Sequence, residues 1–212
     1  MSTLRVGNIT ATGGTGTVTV PTGNQISQVD RPAGMFLIKP TSVTVAGAGS
    51  SSSVSDSGAV TFTSTTSLSI NGCFTSEFKN YKVVMDFDTG NSGVNMQCRM
   101  RLSGTDNTTS NAYVAQRIAV NNTTVAGLRQ TLTEWVVGSA DSTSTNALWL
   151  EFIRPFLADQ TGMQFYSLDS YLSAYQTTGV GTHNQTTSYD GFSVYPNGGT
   201  ITGTLMVYGY RQ

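Results

Sequence analysis

Along most of this chain, apolar and polar residues alternate singly, and the polar positions are mainly Ser, Thr, Asn and Gln. A period of two places successive side chains on opposite faces of a β-strand, so the pattern predicts strands with one buried and one exposed face. It is clearest in residues 81–87 and 94–102. The predicted inward side chains of these two strands are Tyr81, Val83, Met85, Phe87, Val94, Met96, Cys98, Met100 and Leu102. The polar turn at 88–93 between them predicts a β-hairpin.

Similar runs fill the chain after residue 34, and clusters of Gly, Ser, Thr, Asn and Pro separate them. They predict further strands at 35–38, 42–46, 60–70, 112–120, 125–137, 147–156, 163–175, 191–195 and 200–210. The turn at 196–199 predicts that the last two strands form a second hairpin. Predicted polar loops lie at 47–58, 103–111, 138–146 and 176–190, and residues 74–79 are expected to form one helical turn. No segment has a 3.6-residue period, so the pattern predicts an all-β fold, a β-sandwich or jelly roll.

Residues 1–34 differ from the rest because their strand-like pieces are too short to build a core of their own. Glycine turns separate the apolar positions Leu4, Val6, Ile9, Val18, Val20 and Ile26. Such a segment must bury these side chains against another surface or against other copies of itself. We therefore predict an extended N-terminal anchoring and assembly arm at 1–34 that uses these six residues, followed by a β-sandwich head domain at 35–212.

Charge is scarce, since 11% of the 212 residues are charged and the net charge is −1. The lysines and arginines are scattered, whereas nucleic-acid binding requires clustered cations, so no nucleic-acid partner is expected. No apolar run reaches the length of about 18 residues that membrane insertion requires. The first residues predict no signal peptide. Cys73 and Cys98 are too few for a disulfide framework; buried free thiols are favoured, with a bond between the two left open.

The sequence offers little for catalysis. Its single histidine, His183, lies in the predicted 176–190 loop, far in sequence from both cysteines, and no Gly-x-Ser-x-Gly elbow accompanies it. The acidic residues are dispersed, and the glycine-rich residues 13–16 lack the lysine of a phosphate-binding loop. We therefore predict a non-enzymatic protein without a metal or other cofactor.

Aromatic residues are the remaining candidates for ligand contact, because their faces can stack against sugars. Most of them, including Trp135 and Trp149, occur on alternating strands, where core packing or a subunit contact is the expected role. Tyr175 and Tyr189 flank the predicted loop that carries His183. We expect these three side chains to be exposed and to form a glycan-contact site.

Four blocks of the sequence resemble segments of tail-fibre and other virion structural proteins of tailed bacteriophages, including cyanophages. The blocks are residues 1–9 (MSTLRVGNI), 70–84 (INGCFTSEFKNYKVV), 100–106 (MRLSGTD) and 203–211 (GTLMVYGYR). The resemblance implies a β-rich, non-enzymatic particle appendage that is usually trimeric. It carries no motif of functional residues and does not distinguish the tail from the capsid.

The sequence and the resemblance together lead to the hypothesis of a homotrimeric virion protein that assembles with other virion proteins in the host cytoplasm. In the first version it is a tail-fibre or spike component that contacts a host surface glycan. In a second version it is a capsid decoration or head-fibre protein bound to the capsid lattice. A carbohydrate-binding module is a third version. The polar loops 103–111, 138–146 and 176–190 are candidates for the distal tip.

Overall fold

The computed structural model describes residues 34–142, 145–169 and 175–211, and all of the regular structure within these ranges is β-strand. In chain order the strands are β1 (Gly34–Ile38), β2 (Ser42–Ala46), β3 (Ser51–Val54), β4 (Val60–Thr65), β5 (Ser67–Asn71), β6 (Asn80–Thr89), β7 (Val94–Leu102), β8 (Thr105–Asp106), β9 (Tyr113–Asn121), β10 (Thr124–Leu132), β11 (Trp135–Ala140), β12 (Asn146–Ile153), β13 (Thr161–Asp169), β14 (Tyr175–His183), β15 (Gly191–Pro196) and β16 (Ile201–Arg211). They form two antiparallel sheets that pack together, which confirms the predicted all-β sandwich. The six arm residues proposed as anchoring contacts lie outside the described residues.

The two sheets differ in size. The larger sheet has ten strands in the order β10-β9-β14-β13-β12-β6-β16-β4-β3, with β1 pairing along the second half of β16. The smaller sheet has six strands in the order β11-β7-β15-β5-β2, with β8 on β7. Strand β11 packs mainly against β13 and β14 of the larger sheet. The hairpin of β9 and β10 forms one edge of the larger sheet, and nearly every residue of β10 is exposed.

The core lies between the sheets and consists of the side chains that the alternation assigned to it. All four predicted inward residues of β6 are buried, as are those of β7 except Leu102, which is 43% exposed. The neighbouring Arg101 is buried instead, because its guanidinium bonds to Asp106, the Gly104 carbonyl and Asn71 Oδ1. On β16, Ile201, Leu205 and Val207 also face the core.

Both predicted hairpins are wrong. Strand β6 pairs with β12 and β16 in the larger sheet, whereas β7 pairs with β11 and β15 in the smaller one. Likewise β15 belongs to the smaller sheet and β16 to the larger one. The turns at 90–93 and 197–200 therefore carry the chain from one layer of the sandwich to the other. Alternation shows which face of a strand is apolar, but two strands that bury their faces in one core need not be neighbours in a sheet.

Several predicted boundaries are also corrected. The predicted strand at 60–70 is two strands, β4 and β5, which lie in different sheets and are joined near Ser64, whose φ is +49°. The predicted strand at 125–137 likewise divides into β10 and β11. The predicted loops at 47–58 and 103–111 contain β3 and β8, β11 extends into 138–146, and β14 occupies the first half of 176–190. Residues 74–79 contain a turn and no helix.

Both cysteines are free and fully buried, as favoured from the sequence. Burial raises the pKa of both thiols well above the ordinary value, so they remain protonated and unreactive at neutral pH. Among the described residues, no helix has the length and hydrophobicity needed to cross a membrane.

Candidate ligand-binding surface

The prediction that His183 lies in an exposed loop is wrong. It is the last residue of β14, it is fully buried, and its ring packs against Tyr113 at a centroid distance of 4.4 Å. Its Nδ1 lies 3.3 Å from the Tyr189 hydroxyl. Burial lowers the pKa of His183 to about 4, although a backbone hydrogen bond at Gln185 acts in the opposite direction. The imidazole is therefore neutral at physiological pH and belongs to the core.

The three side chains proposed for glycan contact do not share an exposed surface. Tyr189 is 1% exposed and contacts His183 inside the molecule, where the two ring centroids are 5.1 Å apart. Tyr175 is half-buried at the opposite end of β14 and lies near Arg117. Two of the three candidates have therefore lost the exposure on which their proposed role depended.

A different pair of aromatic residues faces outward from the middle of the larger sheet. Trp149 on β12 and Tyr166 on β13 are directly opposite in the register, and their ring centroids are 5.3 Å apart with an interplanar angle of 48°. On β12 the flanking Leu148 and Leu150 are buried, so Trp149 must point to the outer face of the sheet. Tyr166 is 38% exposed and Trp149 is half-buried.

Polar side chains lie next to this aromatic pair, two residues away along each strand and on the same face of the sheet. Lys82 on β6, Glu151 on β12 and Gln164 on β13 are consecutive cross-strand partners. Together with Trp149 and Tyr166 they line a shallow depression with a volume of about 240 Å³. An ammonium, a carboxylate and an amide thus lie beside two aromatic rings.

Two contacts hold the edges of this depression. The Tyr166 hydroxyl donates a hydrogen bond to Gln176 Oε1 over 3.3 Å, which links β13 to β14. Burial, together with the charge of Glu151 and a hydrogen bond to it, raises the pKa of Tyr210 to about 12. Tyr210 therefore stays protonated and can donate to the Glu151 carboxylate. The ring of Tyr166 is therefore positioned from the adjacent strand β14, and the carboxylate of Glu151 from β16, two strands away across β6.

The side chains of this arrangement can contact a ligand in two ways. Aromatic faces stack against the C–H faces of sugar rings, while carboxylates, amides and ammonium groups hydrogen-bond to hydroxyls. Within the described residues, no group of three or more His, Cys, Asp or Glu side chains is arranged to hold a metal ion. The outer face thus presents aromatic rings that can stack on a ligand and polar groups that can hydrogen-bond to it.

A larger cavity of about 760 Å³ adjoins Tyr210, the residue that also contacts Glu151. Its apolar wall comes from Phe78, Phe156 and Leu157, and Tyr210 and Ser188 complete its rim. Its volume is within the range of small-molecule pockets. Its polar groups are a mixed set of hydroxyls with one acidic and one basic residue, which do not single out one ligand class.

Comparison with known proteins adds little. No protein-family model and no curated protein matches this chain. One solved structure with a weak likeness is an engineered GH43 glycoside hydrolase described as having endo-xylanase and exo-arabinofuranosidase activity. The TM-score is 0.26 and the identity 9%, over 88% of this chain and 43% of the hydrolase chain. A likeness of this size supports no conclusion about fold or function.

Proposed function

We propose that this chain is a non-enzymatic phage virion structural protein, a tail-fibre or spike component, whose larger sheet contacts a glycan on the host surface. The observation that carries the glycan contact is the outward pair of Trp149 and Tyr166 framed by Lys82, Glu151 and Gln164. The assignment to a virion is supported by the resemblance of four sequence blocks to phage particle proteins. It is also supported by the apolar arm pieces at 1–34, which need another surface or other copies of the chain for burial.

The proposed assembly is a homotrimer formed in the host cytoplasm together with other virion proteins. Trimerisation would let short apolar pieces of the arm bury one another, as three copies of one segment. Sedimentation of the purified protein measures the oligomeric state, and a monomer at the concentrations present in infected cells would contradict the trimer. The proposal also includes jelly-roll connectivity for the sandwich. The glycan contact does not depend on this connectivity.

A capsid decoration or head-fibre protein is the second candidate. The strand edge of β10, which is exposed along nearly its whole length, favours contact with a neighbouring protein. The copy number in purified virions separates the two candidates. A few tens of copies or fewer fit a tail appendage, whereas hundreds of copies fit a capsid lattice. A free carbohydrate-binding module, the third version, predicts no copies in the particle.

The experiment on the glycan contact uses matched aromatic variants. Trp149→Ala and Tyr166→Ala remove the stacking faces, and Tyr175→Ala removes an aromatic ring elsewhere on the larger sheet. We expect the first two to weaken binding of the purified protein to host cells by about tenfold, or about 1.4 kcal/mol. Tyr175→Ala should bind like the wild-type protein.

Phage adsorption gives the second measurement. Phage that carry Trp149→Ala should adsorb more slowly, while phage that carry Tyr175→Ala should adsorb at the wild-type rate. Wild-type binding by Trp149→Ala, with the fold intact by circular dichroism, would refute the proposed contact. An equal loss in the Tyr175→Ala variant would show that the effect is not specific to the outer face.

A further inference from the structure

We propose that the ligand of this surface is an uncharged glycan chain that lies across the strands, with the Trp149–Tyr166 pair at its centre. This inference rests on the proposed glycan contact and specifies both the charge and the direction of the ligand. The register of six neighbouring strands, the positions of their charged side chains and the spacing between strands support it.

The register brings one residue from each of six strands into a line across the larger sheet. Side chains that are directly paired in an antiparallel ladder lie on the same face. Starting from Trp149 and Tyr166, the pairs continue in both directions, and we call this line the cross-strand row. Its members, from β9 to β16, are Ile118, Thr178, Tyr166, Trp149, Val84 and Met206. At a spacing of about 4.8 Å between strands, six strands extend over about 24 Å.

The cross-strand row contains no charged residue and is accessible along its length. Ile118 is 47% exposed, Thr178 is exposed, and Val84 and Met206 are half-buried. The row therefore offers a continuous uncharged track of aliphatic, aromatic and hydroxyl side chains. Because a pyranose unit is similar in length to the spacing between strands, each strand can contact one sugar unit of an extended chain.

Charged residues stand only beside the row. On one side the paired residues are Tyr208, Lys82, Glu151, Gln164, Val180 and Gln116. On the other side they are Thr204, Asp86, Ala147, Leu168, Gln176 and Val120. Asp86 accepts a hydrogen bond of 2.7 Å from the Thr204 hydroxyl. The two flanks thus hold one lysine and two carboxylates, and the exposed Arg129, paired with Gln116 on β10, lies at the end of the first flank. Two cations and two carboxylates give no net positive charge to attract an anionic sugar.

The same flanks determine the direction of the chain. A ligand that ran along β12 would leave the aromatic pair and pass directly over Glu151, next to Lys82. A ligand that runs across the strands stays on uncharged side chains and has the Lys82, Glu151 and Gln164 groups beside it. These groups can then hydrogen-bond to the ring hydroxyls of a sugar that stacks on Trp149 or Tyr166.

The test uses two matched variants on β14. Thr178 belongs to the cross-strand row, and Thr182 is an exposed threonine on the same face of the same strand, about 13 Å away. Thr178→Arg places a long cation in the track, one strand from Tyr166, and Thr182→Arg places it outside. Circular dichroism should show that both variants are folded, because both side chains are exposed. Thr178→Arg also loses the 3.3 Å hydrogen bond from the Thr178 hydroxyl to the Phe165 carbonyl, so thermal unfolding measures the stability of each variant before binding is compared.

Binding of the full chain is measured by calorimetry with neutral glucose, mannose and galactose oligosaccharides and with uronic acid oligosaccharides, each as disaccharide and hexasaccharide. We expect neutral hexasaccharides to bind about tenfold more tightly than disaccharides and more tightly than their uronic acid counterparts. Thr178→Arg should remove most of the gain from chain length, whereas Thr182→Arg should leave it unchanged.

The outcomes separate this inference from the function on which it depends. Binding that is sensitive to Trp149→Ala but prefers uronic acids, is independent of chain length, or is weakened equally by both arginine variants overturns the inference alone. Binding to no glycan, or binding that Trp149→Ala does not change, overturns the proposed glycan contact and the inference together.

Discussion

At the scale of single residues, His183 shows how the fold can hold a titratable group in its neutral form. Its ring lies among Tyr113, Trp135 and Tyr189, with centroid distances between 4.4 and 6.1 Å. Nε2 has no hydrogen-bond partner among the described residues. Protonation would place a positive charge in this aromatic environment, where water cannot solvate it, so the folded protein resists it.

This burial predicts a loss of stability in acid. The pKa of His183 is about 4 in the folded protein and about 6.5 in an unfolded chain, so between these values only the unfolded state binds the proton. Stability should therefore decrease as the pH falls from 6.5 towards 4. At pH 4.5 the contribution of this residue is a loss of about 2 kcal/mol in the free energy of unfolding.

The measurement compares the wild-type protein with His183→Phe, which keeps an aromatic ring but cannot be protonated. Denaturant unfolding at pH 7 and pH 4.5 gives the pH dependence for each protein. We expect the wild type to lose about 2 kcal/mol more than the variant over this interval, whatever their difference at pH 7. Equal losses in the two proteins would show that His183 does not cause the acid sensitivity.

At the scale of elements, β14 explains why a strand in this protein can be mistaken for a loop. Its sequence of Gly, Thr and Gln gives little apolar alternation, and two of its inward positions are Gly179 and Gly181. A Cβ at Gly181 would lie 2.7 Å from Trp135 Nε1 and 2.8 Å from the Val114 carbonyl oxygen. The glycines therefore make space for large aromatic side chains in the core. These side chains belong to neighbouring strands, so the sequence of β14 itself contains few apolar residues.

Substitution of these glycines provides a prediction with an internal control. Gly181→Ala places a methyl group against Trp135 and should reduce the free energy of unfolding by about 1–3 kcal/mol, as overpacking does. Gly127→Ala on β10 meets no atom within 4 Å and should change it by less than about 0.5 kcal/mol. Thermal unfolding and tryptophan fluorescence measure both effects. A Gly181→Ala protein as stable as Gly127→Ala would refute the packing argument.

The candidate site on β12 and β13 could be predicted only in part from the sequence. Trp149 was expected to pack in the core or at a subunit contact, but it faces outward, because Leu148 and Leu150 occupy the inward positions of β12 on either side of it. The partnership of Trp149 with Tyr166 could not be predicted, because it depends on the register between two strands. Register is determined by packing across the whole sheet. The sequence of one strand does not specify which residues of another strand will lie opposite it.

At the scale of the whole molecule, the fold class could be predicted and the connectivity could not. The period of two was sufficient to predict an all-β sandwich and the inward faces of β6 and β7. The assignment of consecutive strands to opposite sheets depends on which apolar faces meet in the core, and distant parts of the chain decide this. The same dependence hid the division of the 60–70 and 125–137 segments into two strands each.

The arm hypothesis also belongs to this scale. Deletion of residues 1–33 leaves β1 complete, because this strand begins at Gly34. We expect the truncated protein to fold, with a circular dichroism spectrum of β-sheet type, and to be absent from purified particles because its anchoring side chains are missing. Immunodetection in purified virions, with the full-length protein as control, measures incorporation. Truncated protein in particles at the wild-type level would contradict an anchoring role for the arm.

The turns that cross between layers have a further consequence for folding kinetics. Strands β6 and β7, and later β15 and β16, lie in opposite sheets. These consecutive strands therefore do not hydrogen-bond to each other, and their partners come from distant parts of the chain. Strand β16 pairs with β1, β4 and β6, so the larger sheet is incomplete until β16 is in place. Such non-local topologies fold slowly, in milliseconds to seconds or longer. Unfolding must break these long-range strand pairings at the same time. The lifetime of the folded sandwich is therefore set by the height of its unfolding barrier.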